Sequence, residues 1–289
     1  MQKHVVAIQD ICCAGKCSLT IALPLLSAAG ISCSVLPTAL FSTHTGGFSN
    51  VYSHDLTEDM VPIVRHWIRE GLWFDAFYSG YLFSAVQIDA FKNVLDIFRR
   101  EALRSGKAMP QILVDPAMGD GGKLYRLCTP DMVTKMAELC GMADLIVPNV
   151  TEAAFILGEP QQEPPYHQAY IDMLMQGLSD RFSGDIVLTG VSLSEREIGC
   201  VCRNHRDGSV FYITEDREEG SFHGTGDLFS SALLAGLLRD QPLQNAVSSA
   251  MQLVGRTIRY TCQQGGAERD GLLFESCLAD FANRISSLP

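Results

Sequence analysis

The sequence predicts an α/β fold in which helices cover both faces of a mostly parallel sheet. Strand-length apolar runs alternate with helix-length amphipathic segments along the chain of 289 residues. Several of these runs, such as Gln111–Val114, are continuously apolar, which is typical of strands buried on both faces. The chain is 47% hydrophobic and 19% charged, which provides enough apolar side chains for a large core.

The first elements follow this alternation closely. His4–Gln9 is an apolar run that predicts a buried strand, and Cys17–Ala29 predicts a helix. We expect Pro24 to kink that helix and Gly30 to end it. Ser32–Leu36 predicts a second short strand.

A polar, glycine-containing stretch, Ser42–Ser53, interrupts the alternation. A loop of this length in a compact domain usually binds a ligand or moves. The alternation then resumes, since amphipathic periodicity marks helices and short apolar runs mark strands. The helices predicted after this loop are Asp59–Glu70, Ala85–Ser105 and Pro130–Cys140, and the strands are Ala76–Ser79, Gln111–Val114 and Leu145–Val147.

The second half repeats the pattern and adds a predicted antiparallel pair, Glu197–Arg203 and Ser209–Ile213, around a turn that ends at Gly208. The other predicted elements are the helices Glu152–Leu157, Tyr166–Arg181, Gly226–Leu238, Leu243–Thr261 and Leu272–Ile285, and the strand Asp185–Leu188. The one biased segment, Pro160–Pro165, is too short to be a domain boundary. We therefore expect residues 1–289 to form a single domain.

The acidic balance excludes some classes of partner. The formal net charge of −11 repels phosphate backbones, so a general nucleic-acid binder is not expected. The sequence also has neither a signal-peptide apolar region nor an apolar run of about 18 residues, so we expect no membrane span. The ten cysteines then predict reduced thiols in a cytoplasmic protein. For the clusters Cys12, Cys13, Cys17 and Cys200, Cys202, packing is favoured over metal binding.

Five predicted strands are followed by polar or glycine residues. They are Gln9-Asp10, Ser79-Gly80-Tyr81, Asp115, Asn149 and Thr189-Gly190. Ligands of parallel sheets gather beyond the carboxyl ends of the strands, so these residues predict one binding edge.

The strongest motif is HGTGD at His223–Asp227, immediately before an apolar helix. Its two glycines allow close approach of the backbone to a ligand, and the first N–H groups of the helix are unpaired. The motif therefore predicts an anion site. Asp227 is either a helix-capping residue or a general base that deprotonates a hydroxyl for attack on a phosphoryl group.

Two further segments place carboxylates at strand ends. Asp115–Tyr125 (DPAMGDGGKLY) carries two aspartates, and Pro148–Glu152 (PNVTE) adds Asn149 and Glu152. A turn-rich loop and simple helix caps are the structural alternatives. The functional interpretation is a polyphosphate site with Mg²⁺, because this ion prefers oxygen ligands.

The segment Asp10–Ser18 (DICCAGKCS) resembles a P-loop but lacks two of its required residues. Asp10 stands where the first glycine is needed, and Cys17 where Ser or Thr is needed. We interpret it instead as a glycine turn at a substrate pocket. Ser42–Gly47 (STHTGG) and Tyr81 could contact a small ring there, while a solvated His44 and simple packing of Tyr81 are the alternatives.

Together these segments resemble the ribokinase-like superfamily and, within it, the pyridoxal kinase family, from about Val5 to the final helix. Single motifs of this kind are shared by many sugar and nucleoside kinases, whereas five in the same order are specific. The matching segments are GTGD at Gly224–Asp227, the FSNHTGY-type loop at Phe41–Gly47, the TGY-type segment at Ser79–Tyr81, DPVMGD…Y at Asp115–Asp120 with Tyr125, and PNxxE at Pro148–Glu152.

The resemblance implies a three-layer α/β/α sandwich that phosphorylates the 5′-hydroxymethyl group of a vitamin B6 vitamer (pyridoxal, pyridoxamine or pyridoxine) with MgATP. Asp227 would be the base, and Gly224, Thr225 and Gly226 would stabilise the transferring phosphoryl group. The residues implied for the nucleotide are Asp115, Asn149, Glu152, Thr189, Asp120 and Tyr125. Two of these, Glu152 and Asp115, are also implied for the metal. The residues implied for the substrate are Asp10, Thr45, Gly46 and Tyr81. A cytoplasmic homodimer, and a monovalent cation, are also in keeping with the family.

Two positions depart from the family pattern. Asp10 stands where Ser is common, and hydroxymethylpyrimidine kinases carry an Asp near that place. A carboxylate there favours an amine or ring N–H over the aldehyde. Gly47 stands where Tyr is common, which widens the substrate loop. A hydroxymethylpyrimidine kinase and a non-catalytic B6-binding protein are therefore the alternative functions.

Overall fold

The computed structural model describes residues 2–220 and 222–287. The strands are β1 (His4–Ala14), β2 (Ser32–Thr43), β3 (Ser53–Asp55), β4 (Ala76–Ser79), β5 (Gln111–Val114), β6 (Gly119–Asp120), β7 (Lys123–Leu124), β8 (Leu145–Ile146), β9 (Asp185–Val191), β10 (Glu197–Arg203) and β11 (Val210–Asp216). The helices are α1 (Leu19–Ala28), α2 (Thr57–Arg69), α3 (Ala85–Ser105), α4 (Pro130–Cys140), α5 (Val150–Leu157), α6 (Gln168–Arg181), α7 (Thr225–Leu238), α8 (Leu243–Gln263) and α9 (Glu275–Ser287).

Within the described residues, nine strands form one sheet in the order β11-β10-β9-β8-β5-β4-β1-β2-β3. The six strands from β9 to β2 pair in parallel. Antiparallel pairing occurs at both margins, where β10 and β11 extend one side and β3 the other. The expected mostly parallel sheet is therefore confirmed, as is the antiparallel pair near its end.

Both faces of the sheet are buried beneath helices, as the continuous apolar strands predict. Val5 and Ala7 of β1 pack toward α1, α7, α8 and α9, whereas Val6 and Ile8 pack toward the layer of α2 to α6. All four side chains are fully buried. Successive side chains of a strand point to opposite faces, so this alternation produces the three-layer α/β/α sandwich.

Capping residues explain why two long helices match their predicted bounds. Ser84 accepts a hydrogen bond from the backbone N–H of Gln87 at the start of α3, and left-handed Gly106 ends that helix. Thr129 caps α4 in the same way, with Pro130 in the first turn. These local signals are readable in the sequence because they depend on neighbouring residues alone.

Several predicted bounds are wrong where pairing partners decide the structure. β1 continues beyond Gln9 to Ala14 and β2 beyond Leu36 to Thr43, because the two strands pair past a bulge up to Ala14 and Thr43. β3 also pairs with β2, so the loop predicted as Ser42–Ser53 is shorter. β9 likewise extends beyond Leu188 to Val191. These extensions contain polar residues, so the apolar pattern does not indicate that the strands continue.

The segment after β5 contains a small hairpin that the sequence does not predict. β6 and β7 pair with each other in a separate two-stranded sheet, around two glycines with left-handed φ values. Among the described helices, none combines the length and apolar character that a membrane span requires.

Candidate active site

Four carboxylates meet at the carboxyl edge of the sheet. Asp10 lies in the extension of β1, Asp115 follows β5, and Glu152 and Asp227 lie in the first turns of α5 and α7. Asp10, Asp115 and Glu152 are 4%, 8% and 3% exposed, and Asp227 is partly buried. Their charges affect one another: Asp115 raises the pKa of both Asp227 and Glu152, and Asp10 also raises that of Asp227.

Asp227 has the properties of a base at neutral pH. Burial, followed by the charges of Asp115 and Asp10, raises its pKa to about 7. The backbone N–H of Ser18 opposes this effect by donating to Asp227 Oδ2 at 2.8 Å. The group can therefore take and release a proton near pH 7 while its carboxylate stays oriented by the start of α1.

The glycine turn before Asp227 leaves space beside the backbone at the start of α7. Gly224 has a left-handed φ of 88°, and a Cβ there would lie 2.5 Å from the carbonyl oxygen of Lys16. Gly224 also lacks a side chain that could cap the first N–H groups of α7. A Cβ added at Gly226 would meet no atom within 4 Å. This combination leaves free space over the positive end of a helix.

Asp115 is held by the same helix as Asp227. The hydroxyl of Ser230 donates to Asp115 Oδ2 at 2.8 Å, and burial raises the pKa of Asp115 to about 6. Ser230 follows Asp227 by three residues, so one face of α7 presents both side chains to the sheet edge.

Glu152 and Asn149 form a reciprocal cap at the start of α5. Asn149 Oδ1 accepts from the N–H of Glu152 at 2.9 Å, and Glu152 Oε2 accepts from the N–H of Asn149 at 2.8 Å. Glu152 Oε1 accepts from the N–H of Met118 at 3.1 Å, and Asn149 Nδ2 donates to the carbonyl of Gly119 at 2.8 Å. The capping alternative is thus observed, and it ties α5 to the β6–β7 hairpin.

The remaining residues implied for the nucleotide surround this cap. Thr189 forms an isolated bridge with Asn149. Asp120 is exposed, and its Oδ1 accepts from the N–H of Gly121 at 2.8 Å. Tyr125 is 41% exposed. Desolvation and then the charges of Glu152 and Asp120 raise the pKa of Tyr125.

Asp10, whose charge also raises the pKa of Asp227, accepts hydrogen bonds from neutral donors. Its carboxylate accepts from the hydroxyl of Ser18 at 2.6 Å and from the thiol of Cys12 at 3.4 Å. Burial raises the pKa of Asp10, which these hydrogen bonds and the charge of His44 oppose. Tyr81 is partly buried, and burial followed by the charges of Cys128 and Asp10 raises its pKa.

The loop that carries Thr45 and Gly46 packs against the segment before α7. A Cβ at Gly46 would overlap the ring of His223, and Thr45 is exposed. The ring of His223 also lies 4.4 Å from that of His44. The loop therefore lies beside the glycine turn.

His44 is not the solvated histidine that the sequence allows. It is 6% exposed, and its Nε2 donates to the carbonyl of Arg269 at 2.8 Å. Its Nδ1 accepts from the N–H of Gly46 at 3.1 Å. Both ring nitrogens are used, so this histidine shapes the loop. Lys16, the P-loop-like lysine, pairs with Glu275 at 2.8 Å, in keeping with the rejection of a P-loop.

Two polar residues of the site were missed by sequence reasoning. Ser18 contacts both Asp10 and Asp227, and Ser230 contacts Asp115. The spacing of Ser230 from Asp227 along one helix was a usable signal. No sequence signal marks Ser18, because its contact with Asp227 joins residues 209 positions apart.

We predict that Gly224→Ala destabilises the protein by at least about 2 kcal/mol, because a left-handed φ and the Lys16 carbonyl both oppose a Cβ. Gly226→Ala is the matched control in the same turn. It should be neutral or stabilising by up to about 1 kcal/mol, because the space is open and alanine favours a helix. Urea unfolding measures both free energies. Equal losses would contradict the proposed backbone constraint.

Comparison with known proteins agrees with this geometry. The family model described as phosphomethylpyrimidine kinase matches residues 23–270. A Bacteroides thetaiotaomicron protein crystallised with pyridoxal is 30% identical, with a TM-score of 0.88 over 97% of this chain and 96% of that one. Lactobacillus plantarum pyridoxal kinase is 28% identical, with a TM-score of 0.87 and 98% of each chain covered.

A third structure, Leishmania donovani pyridoxal kinase with ADP and pyridoxamine, has a TM-score of 0.85 over 99% of this chain and 96% of that one. At 22% identity it shows the ribokinase-like fold alone. The structural neighbours of the chain thus include pyridoxal kinases. The family model spans most of the sequence, from the middle of α1 to the turn before α9, and the chain therefore belongs to the phosphomethylpyrimidine kinase family.

Proposed function

We propose that this kinase transfers the terminal phosphoryl group of MgATP to the 5′-hydroxymethyl group of a vitamin B6 vitamer. The observation that carries the proposal is Asp227, a carboxylate whose pKa of about 7 suits a general base, beside the open glycine turn of α7. A base poised near the working pH and a helix start that attracts anions are the two groups that this transfer requires.

In the proposed reaction Asp227 takes the proton of the acceptor hydroxyl as its oxygen attacks the terminal phosphorus of ATP. The backbone of Gly224, Thr225 and Gly226 supplies N–H groups for the negative charge of the transferring phosphoryl group. Phosphoryl transfer depends mainly on positioning and charge stabilisation, which these groups would supply together with residues that hold the nucleotide, the metal and the acceptor. ADP leaves on the side of Asp115 and Glu152.

Asp115 and Glu152 are suited to Mg²⁺ by their chemistry. Both are buried carboxylates, and neither belongs to an ion pair within residues 2–220 and 222–287. Both oxygens of Glu152 already accept backbone N–H groups, so it fits a water-mediated role better than direct ligation. Bound there, the ion would offset the repulsion between these carboxylates and the ATP phosphates.

Two relatives support the choice of ligands. The 30% identical Bacteroides protein contains pyridoxal, and the Leishmania kinase contains ADP with pyridoxamine. In this chain we assign the nucleotide to the side of Asn149, Asp120, Tyr125 and Thr189. The vitamer is assigned to the side of Asp10, Tyr81 and the loop with Thr45 and Gly46.

A hydroxymethylpyrimidine kinase is the second candidate. The family description and the carboxylate of Asp10 favour it, because such a carboxylate can accept from an aminopyrimidine. A non-catalytic B6-binding protein is a weaker candidate, since it would not need a base beside an intact glycine turn. A homodimer, a cytoplasmic location, a monovalent cation and a single domain remain predictions.

The primary experiment measures ATP consumption with Mg²⁺ for pyridoxal, pyridoxamine, pyridoxine, hydroxymethylpyrimidine, ribose and adenosine, and detects the added phosphoryl group by mass spectrometry. Turnover of a vitamer supports the proposal. Turnover of hydroxymethylpyrimidine alone assigns the second candidate. Binding of a vitamer without turnover assigns the non-catalytic one.

Asp227→Asn should lower kcat by about 10²–10⁴-fold with the active substrate, because the amide cannot take the hydroxyl proton. Asp59→Asn is the matched control, since Asp59 holds the same position in the first turn of α2 but is exposed. Isothermal titration calorimetry should show that the Asp227 variant still binds the acceptor. Unchanged turnover would refute the assignment of the base.

Activity should depend on pH through Asp227. Only the ionised carboxylate accepts a proton, so a pKa of about 7 predicts that kcat/KM rises about tenfold between about pH 6 and about pH 8. Initial rates in buffers of constant ionic strength measure this profile. A flat profile over that range would show that another group limits the reaction.

Asp10→Ser should shift the acceptor preference from pyridoxamine toward pyridoxal. Loss of the carboxylate removes an acceptor for an amine and removes negative charge beside an aldehyde oxygen. The measurement is kcat/KM for the three vitamers and hydroxymethylpyrimidine. An unchanged ranking would exclude Asp10 as a determinant of specificity.

A further inference from the structure

Two thiols and a carboxylate lie close together near the start of α1. They are distant in sequence from Asp115 and Glu152 and, unlike that pair, include sulfur atoms. The ligand atoms of Asp10, Cys12 and Cys17 all lie within 4.8 Å of one another. Cys12 is 2% exposed and Asp10 is 4% exposed, while Cys17 is partly buried. The sequence favours simple packing for these cysteines, but the fold brings them to a buried carboxylate.

The three groups are linked by a chain of hydrogen bonds. The thiol of Cys17 donates to Cys12 Sγ at 3.1 Å, and the thiol of Cys12 donates to Asp10 Oδ2 at 3.4 Å. Ser18 donates to the other oxygen, Asp10 Oδ1, at 2.6 Å. Asp10 Oδ2 therefore faces the thiols, while Ser18 fixes the orientation of the carboxylate.

We propose that Asp10, Cys12 and Cys17 form a binding site for a thiophilic divalent cation of the zinc class. Thiolates prefer zinc to magnesium, which takes oxygen ligands, so this site would be chemically distinct from the magnesium site proposed at Asp115 and Glu152. On binding, each thiol gives its proton to solvent, and two Zn–S bonds and one Zn–O bond replace the two thiol hydrogen bonds.

Two of the three ligand separations are close to those of tetrahedral zinc, and the third is within 4.8 Å. Tetrahedral zinc with Zn–S bonds of about 2.3 Å separates two sulfur ligands by roughly 3.7 Å and a sulfur from a carboxylate oxygen by roughly 3.5 Å. The observed separations are 3.1 Å for the two sulfur atoms and 3.4 Å for Cys12 Sγ and Asp10 Oδ2. The sulfur atoms would move apart by about 0.6 Å.

Ser18 would hold the site from outside, because a hydrogen bond to the second oxygen of a ligating carboxylate orients that ligand. Three protein ligands leave the fourth zinc position open toward solvent or substrate. This consequence rests on the proposed function: with Asp10 on the acceptor side, bound zinc would occupy its carboxylate and compete with the vitamer. Zinc would then act as an inhibitor that MgATP does not relieve.

The test is metal titration of the whole, reduced protein in the presence of excess Mg²⁺, with Co²⁺ as the spectroscopic probe and Zn²⁺ as competitor. We expect one Co²⁺ per chain, with the absorption of tetrahedral cobalt and charge transfer from two thiolates, and full displacement by Zn²⁺. Cys12→Ser and Cys17→Ser should each weaken Zn²⁺ binding by at least about tenfold. Cys13→Ser is the matched control, because this neighbouring thiol is exposed and lies outside the cluster.

Binding that survives both cysteine substitutions, or that the Cys13 substitution abolishes, would overturn the proposal. Circular dichroism shows whether each serine variant folds. If either does not, the number of thiolates bound to Co²⁺ is read from the intensity of the charge-transfer band of the wild-type protein. A band for fewer than two thiolates would reject the site. Because these readouts measure metal and not turnover, they stand whether or not a vitamer is phosphorylated.

Discussion

The burial of four carboxylates at one edge of the sheet is the constraint on which the site depends. Loss of hydration raises the pKa of Asp10, Asp115, Glu152 and Asp227, and repulsion from neighbouring carboxylates adds to this effect at Glu152 and Asp227. Local donors hold them in place: hydroxyl groups for Asp10 and Asp115, and backbone N–H groups for Glu152 and Asp227. Such an arrangement favours the binding of cations. The Mg²⁺ that accompanies a nucleotide substrate would reduce the repulsion between these carboxylates.

The same contacts connect elements that are far apart in the sequence. Ser18, at the start of α1, joins Asp10 of β1 to Asp227 of α7. Ser230 joins α7 to Asp115 after β5, and Asn149 joins α5 to the hairpin after β5. The central strands and the helices on both faces thus share one polar network at the edge, so the position of the base depends on the packing of the sandwich as a whole.

Different ligand chemistries are separated along this edge. A hydroxyl group donates to Asp115 and backbone N–H groups donate to Glu152, whereas a thiol donates to Asp10. The hard cation proposed to accompany the nucleotide and the proposed thiophilic cation would therefore have different binding places, with Asp227 coupled electrostatically to both sides. This separation would let one small site combine the proposed phosphoryl transfer with a response to the proposed second metal.

The sequence by itself determined the elements whose signals are local. Caps and periodicity defined α3 and α4, continuous apolar runs defined β4 and β5, and ordered motifs identified the carboxylates and the glycine turn. Only the tertiary structure decided the length of β1 and β2, the burial of His44, the contacts of Ser18 and the meeting of Cys12 and Cys17 with Asp10. These features depend on which distant segment packs alongside, and hydrogen bonds and burial between distant residues leave no periodic trace in a sequence.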